Sequence, residues 1–144
     1  MDPAKNSQNA SVPTLLVVED HRATRTMLVD WLGAVFPTHQ CLEAGSGEEA
    51  VELVRAHEPA LVVMDYALPG LNGIEATRQI KQITPRVRVL LLSMYEAERY
   101  QTEAAAAGAS AYLFKRTMAT NFIRTVEALL SLSADTPAAR GLSE

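Results

Sequence analysis

The sequence predicts an α/β protein: a parallel β-sheet with helices on both faces. Three observations carry that reading. Five strand-like runs alternate with five helix-like stretches, the order that repeated βα units produce. Leu15-Leu16-Val17-Val18 and Leu61-Val62-Val63-Met64 are apolar without a break, as strands buried on both faces are. The Pro69-Gly70 and Asn72-Gly73 pairs mark a loop soon after the second of these runs.

Taken in order, the first strand runs straight into Glu19-Asp20. The first helix, about residues 21–36, carries Met27, Leu28, Trp31, Leu32, Val35 and Phe36 at helical spacing, with Trp31 as core. Residues 38–43 form a weaker strand. Ser46-Gly47-Glu48-Glu49 is a capping-box pattern opening a second helix, with Ala50, Leu53, Val54 and His57 on one face and a stop before Pro59. His39 and His57 read as surface or helix-end residues. The third strand, residues 61–64, runs into Asp65. The third helix sets Ile74, Thr77, Ile80 and Ile83 at steps of three and ends at Pro85. The fourth strand, residues 87–92, ends at Ser93. An Ala-rich helix over about residues 96–107 then stops at Gly108, expected as a left-handed cap. The fifth strand, Ala111-Tyr112-Leu113-Phe114, ends at Lys115, and the fifth helix buries Phe122, Ile123, Val126, Leu129 and Leu130.

A length of 144 residues suits one domain with a real core. A net charge of −4 with no basic run argues against this chain gripping nucleic acid by itself. Cys41 has no partner cysteine, which points to a reducing, cytoplasmic setting. No apolar stretch approaches the roughly 18 residues that a spanning helix needs, so no membrane role is expected. Residues 1–12 have no apolar core and are expected as a disordered leader rather than a signal peptide. The folded domain is assigned to residues 13–132 and a linker to residues 133–144.

The strand ends carry the chemistry. Ligands of parallel α/β sheets bind beyond the carboxyl ends of the strands. An isolated Asp65 there would more simply cap a helix or close a turn. Glu19-Asp20 at the end of another buried strand makes an acidic pocket the leading reading. Two carboxylates about 4 Å apart repel by roughly 4 kcal/mol at an effective dielectric near 20. Such a cluster must raise a pKa or hold a cation, and hard oxygens with no His or Cys triad favour Mg²⁺. Ser93 and Lys115, a hydroxyl and an ammonium, suit phosphoryl oxygens. Singly they read as a helix cap and a surface lysine. As an ordered set, the four strand ends are hard to obtain by chance.

Together these residues resemble the receiver domain of two-component response regulators, over residues 12–132. Glu19-Asp20, the segment Val63-Met64-Asp65-Tyr66-Ala67-Leu68-Pro69-Gly70-Leu71-Asn72-Gly73, Ser93, Tyr112 and Lys115 fall where that family's pattern places them. His21, Ser93-Met94-Tyr95 and Ala107-Gly108-Ala109-Ser110-Ala111-Tyr112-Leu113 are most similar to the NarL/FixJ-type, LuxR-like subclass. The resemblance implies a flavodoxin-like, doubly wound (βα)5 fold with strand order 2-1-3-4-5. It implies that Asp65 accepts a phosphoryl group from a histidine kinase or phosphotransfer donor. Mg²⁺ would be held by Asp20, Asp65, Glu19 and the backbone carbonyl of Ala67. Lys115 would pair with the phosphoryl group, Ser93 would donate to it, and Tyr112 would turn inward as Ser93 moves. A plain edge-strand aromatic is the competing reading of Tyr112. The chain would be no enzyme in the ordinary sense, only an autocatalytic phosphoacceptor with slow self-dephosphorylation. The surface around the fourth helix, fifth strand and fifth helix would switch, gating a homodimer or a DNA-binding output domain.

Other phosphate-handling folds fit less well. Flavodoxins need a glycine- and hydroxyl-rich loop where Glu19-Asp20-His21 stands. Dehalogenase-type phosphatases need an acid where Ala67 stands, and no Walker loop is present. Three departures from the commonest receiver pattern matter: Ser93 replaces the frequent Thr, Arg116 the frequent Pro after the lysine, and Met94 and Tyr95 are large. With the apolar Ala67, these large residues are expected to slow water attack and lengthen the phosphoryl lifetime. Leu142-Ser143-Glu144 resembles the opening of a LuxR-type helix-turn-helix, so transcriptional output is the expected role. A stand-alone receiver acting by protein contact is the alternative.

Overall fold

The computed structural model describes residues 12–132. The expected leader, apart from Val12, and the expected linker over residues 133–144 lie outside the described residues. Five parallel strands form one sheet: β1 (Thr14–Val18), β2 (Gln40–Ala44), β3 (Leu61–Asp65), β4 (Arg88–Ser93) and β5 (Ala111–Phe114). Their order is β2-β1-β3-β4-β5, so the chain steps outward from β1 to β2, returns to β3 and continues the other way. The connecting helices are α1 (Arg22–Val35), α2 (Gly47–His57), α3 (Gly73–Ile83), α4 (Glu98–Ala107) and α5 (Met118–Leu130). One 3₁₀ turn, Lys115–Thr117, joins β5 to α5.

The pleat of the inner strands divides the core in two. Leu16, Val18, Val62, Met64, Val89 and Leu91 pack against α2, α3 and α4. Their alternates Leu15, Val17, Leu61, Val63, Leu90 and Leu92 pack against α1 and α5. This two-sided burial is why the strands read as unbroken apolar runs. Each buried aliphatic side chain contributes about 1.5–3 kcal/mol. Trp31 is core, its ring tilted against Phe122 at 5.7 Å.

Element ends depart from the sequence expectation where tertiary pairing decides them. β2 starts at Gln40 because it pairs with Thr14 on β1. In α2, Val51 is buried and His57 exposed, so the apolar face is rotated from the expected one. The Ser46 hydroxyl accepts from Glu49 N at 3.1 Å, but the Glu49 carboxylate reaches back to Gly45 N at 2.8 Å. α4 starts at Glu98, after a loop over residues 94–97, and has no side-chain cap. Gly108 is the left-handed cap expected, at φ 105°.

Asn72 and Gly73 belong to α3 and not only to a loop. Asn72 Oδ1 accepts from Glu75 N at 2.9 Å, the N-cap bond. A Cβ on Gly73 would lie 2.2 Å from the carbonyl oxygen of Asp65. Only a glycine lets α3 begin this close to the end of β3. Gly33, inside α1, faces open space. We therefore expect Gly73→Ala to cost about 1–3 kcal/mol in urea unfolding through backbone displacement. Gly33→Ala should stabilise by about 0.5–1 kcal/mol. Equal effects of the two substitutions would contradict this packing.

Candidate functional site

Strand register assembles the site. Val18 on β1 pairs with Met64 on β3, so the next residues, Glu19 and Asp65, become neighbours. Asp65 pairs with Leu92, one residue before Ser93. Ser93 in turn pairs with Phe114, one residue before Lys115. Acid, acid, hydroxyl and ammonium thus follow one another along the carboxyl edge of the sheet.

Glu19, Asp20 and Asp65 each offer a carboxylate oxygen within 4.8 Å of the others. Glu19 and Asp65 are buried and Asp20 is exposed. Lys115 Nζ bridges the buried pair, 3.0 Å from Glu19 Oε1 and 2.9 Å from Asp65 Oδ1. His21 N donates to Glu19 Oε2 at 3.2 Å, and Arg25 holds the Glu19 carbonyl at 2.8 Å. Burial pushes the Glu19 carboxyl above its ordinary range; the Lys115 hydrogen bond opposes this and the Asp65 charge adds to it. Burial works to lower the Lys115 ammonium, but the bonds to Asp65 and Glu19 together outweigh it and leave it raised.

Ser93 is buried, and its Oγ accepts from Tyr95 N at 2.9 Å. A hydroxyl that accepts this bond keeps its own proton to donate. Tyr112 is half-buried on β5, and its hydroxyl donates to the Tyr95 carbonyl at 2.6 Å. Burial raises the Tyr112 phenol, with the Ser93 hydroxyl opposing the rise. Tyr112 is therefore tied to the loop that follows Ser93, more than a plain edge aromatic. Ala67 is exposed, two residues past Asp65.

The sequence did not reveal a ring cluster beside the acids. Tyr66, the residue after Asp65, meets Tyr95 edge-on at 5.4 Å and Tyr100 at 5.6 Å. Tyr95 and Tyr100 stack at 4.6 Å. The Tyr66 hydroxyl donates to Glu103 at 2.7 Å. Arg116, where many receivers have Pro, forms an ion pair with Glu96 that joins the loops after β5 and β4.

Three carboxylates against one ammonium leave the cluster short of positive charge. Their hard oxygens lie close enough together that Glu19, Asp20 and Asp65 could converge on one Mg²⁺. We expect millimolar Mg²⁺ to raise the thermal midpoint and Asp20→Asn to lose most of that rise. A site holding ligand at 100 times its Kd gains about 2.7 kcal/mol. The raised Glu19 pKa means that the folded chain binds more protons than the unfolded chain just above the ordinary carboxylate range. Without metal, stability should fall as pH rises through that window. The Mg²⁺ effect should shrink as pH falls through it. A midpoint indifferent to Mg²⁺ at neutral pH would remove the cation site.

The model of the response regulator receiver domain matches residues 15–127. The transcriptional activator ExaE of Pseudomonas putida is 41% identical over 101 residues, covering 70% of this chain and 47% of that protein. DegU, a transcriptional regulatory protein of Brevibacillus brevis, is 38% identical over 114 residues, covering 78% and 48%. The chain thus spans about half the length of these relatives. A crystal structure of a LuxR-family two-component response regulator from Aurantimonas sp. superposes with a TM-score of 0.77 at 34% identity, covering 84% of this chain and 86% of that one. By sequence and by fold, the chain belongs to the response regulator receiver domain family.

Proposed function

We propose that Asp65 is the phosphoacceptor of this receiver and that its phosphorylation resets the surface around α4, β5 and α5. The observation that carries the proposal is Lys115 Nζ, held between Asp65 and Glu19 at 2.9 and 3.0 Å with Asp20 alongside. An Asp65 oxygen attacks the donor phosphorus; a new O–P bond forms as the N–P bond of a phosphohistidine breaks, and the imidazole leaves. Lys115 exchanges its bond to Asp65 for one to a phosphoryl oxygen. Ser93 donates its hydroxyl proton to another. Glu19, Asp20, Asp65 and the Ala67 carbonyl would hold Mg²⁺, which when bound would offset charge on the phosphoryl oxygens.

Met94, 68% exposed, and Tyr95, 42% exposed, are the two large residues directly after Ser93, and their bulk would obstruct hydrolytic water. With no polar side chain at Ala67 to orient that water, the phosphoryl group is long-lived and self-dephosphorylation slow. The donor is a histidine kinase or phosphotransfer protein, and the setting is cytoplasmic. Among the described residues no helix is long and apolar enough to cross a membrane. Relatives named as transcriptional regulators, about half of whose length this chain spans, support a DNA-binding output in the whole protein, gated by dimerisation or release.

Acetyl phosphate with Mg²⁺ should add one acid-labile phosphoryl group by intact mass, and both Asp65→Asn and chelation should abolish it. Equal labelling of Asp65→Asn would sink the assignment. Tyr95→Ala should speed autodephosphorylation severalfold. An unchanged or slower rate would remove the shielding account.

A further inference from the structure

Three observations around Tyr95 converge on one device. The first is that every polar backbone group of Tyr95 is engaged by a residue at the site's edge: its N–H by Ser93 Oγ at 2.9 Å and its carbonyl by the Tyr112 hydroxyl at 2.6 Å. The second is that its ring is stacked on Tyr100 of α4 at 4.6 Å and meets Tyr66 edge-on at 5.4 Å. The third is that Tyr66 offers a fixed platform. Its N–H is bound to the Leu92 carbonyl of β4 at 2.8 Å, and its carbonyl takes Gly73 N at 3.0 Å. The Tyr66 ring therefore leaves the end of β3 from a backbone held on both sides, one residue from Asp65.

α4 contributes little buried side-chain surface of its own. Only Ala104 and Ala107 of the helix are buried, and its start has no side-chain cap. Tyr100 and Glu103, three apart and so on one face, both reach Tyr66: the ring at 5.6 Å and the carboxylate through the 2.7 Å hydrogen bond. Arg99 lies over the Tyr100 ring at 4.9 Å on the solvent side.

We propose that the Tyr66–Tyr95–Tyr100 ring cluster, fastened by Glu103, is the positioning element through which phosphorylation at Asp65 moves α4. The inference rests on the phosphoacceptor reading. When the Ser93 hydroxyl donates to the phosphoryl group, the bond from Tyr95 N draws the loop with it. Tyr95 slides against the fixed Tyr66 ring, and the stacked Tyr100 carries the displacement into the helix.

Backbone NMR of the full chain with beryllofluoride and Mg²⁺ tests this. The unaltered chain should shift at Ser93, Lys115 and across α4. Tyr66→Leu should keep the Ser93 and Lys115 shifts and cut those of α4 to less than half. Tyr66→Phe, which keeps the ring and loses only the Glu103 bond, should recover most of the α4 response. Tyr100→Leu should reproduce the Tyr66→Leu loss from the other side of the stack, and it decides the matter if Tyr66→Leu does not fold. Full α4 shifts in the folded leucine variants, even with a lower thermal midpoint, would overturn the proposal by reducing the cluster to packing. Absence of shifts at Ser93 and Lys115 in the unaltered chain would overturn the phosphoacceptor reading, and this proposal with it, before any variant is made.

Discussion

The rest of the site depends on one half-buried ammonium. Lys115 Nζ contacts Asp65 and Glu19, two carboxylates on adjacent strands that would otherwise face each other in a poorly solvated pocket. Breaking such a buried pair by removing one partner leaves an uncompensated charge, a cost of about 3–5 kcal/mol in fully buried cases. Lys115 keeps 18% of its side chain exposed, so the cost here is smaller. One cation against three acids is an incomplete compensation. The shortfall disposes the pocket to take up a further cation.

The sheet makes that arrangement possible. Because β1 and β3 are neighbours from which the chain departs in opposite directions, no crossover helix covers their carboxyl ends. The two-sided core fixes the register, and a slip of one residue would turn Asp65 away from Glu19. Gly73 completes the geometry by letting α3 start against the Asp65 carbonyl.

Much of this was legible in the residues. A charged or hydroxyl residue at the end of an unbroken apolar run is a local signal, and Glu19, Asp20, Asp65, Ser93 and Lys115 all carry it. The limits of β2 were not legible, since the Gln40 pairing with Thr14 sets them. Asn72-Gly73 carried the same signal for a loop as for a helix start, and the contact that demands glycine is with a carbonyl eight residues earlier. The ring cluster left no local trace. Tyr66 lies in a loop, Tyr95 and Tyr100 match no strand or helix period together, and only the fold brings them into contact. The Arg116–Glu96 pair is likewise visible only once the loops after β4 and β5 are side by side.

The same distribution of packing divides the molecule into fixed and movable parts. β1, β3 and β4 are buried along most of their length, whereas α4 is seated on two alanines, a ring stack and one hydrogen bond. Local opening is favoured where buried apolar contact is least, which here is the helix next to the acids. The central claim is that Asp65, of the two carboxylates that Lys115 contacts, is the one that forms the acyl phosphate. Reductive trapping with borohydride after acetyl phosphate treatment, followed by peptide mass mapping, tests it most directly. The account predicts homoserine in place of Asp65 alone. A modification at Asp20 or Glu19, or none in a chain that has taken up phosphate, would contradict it.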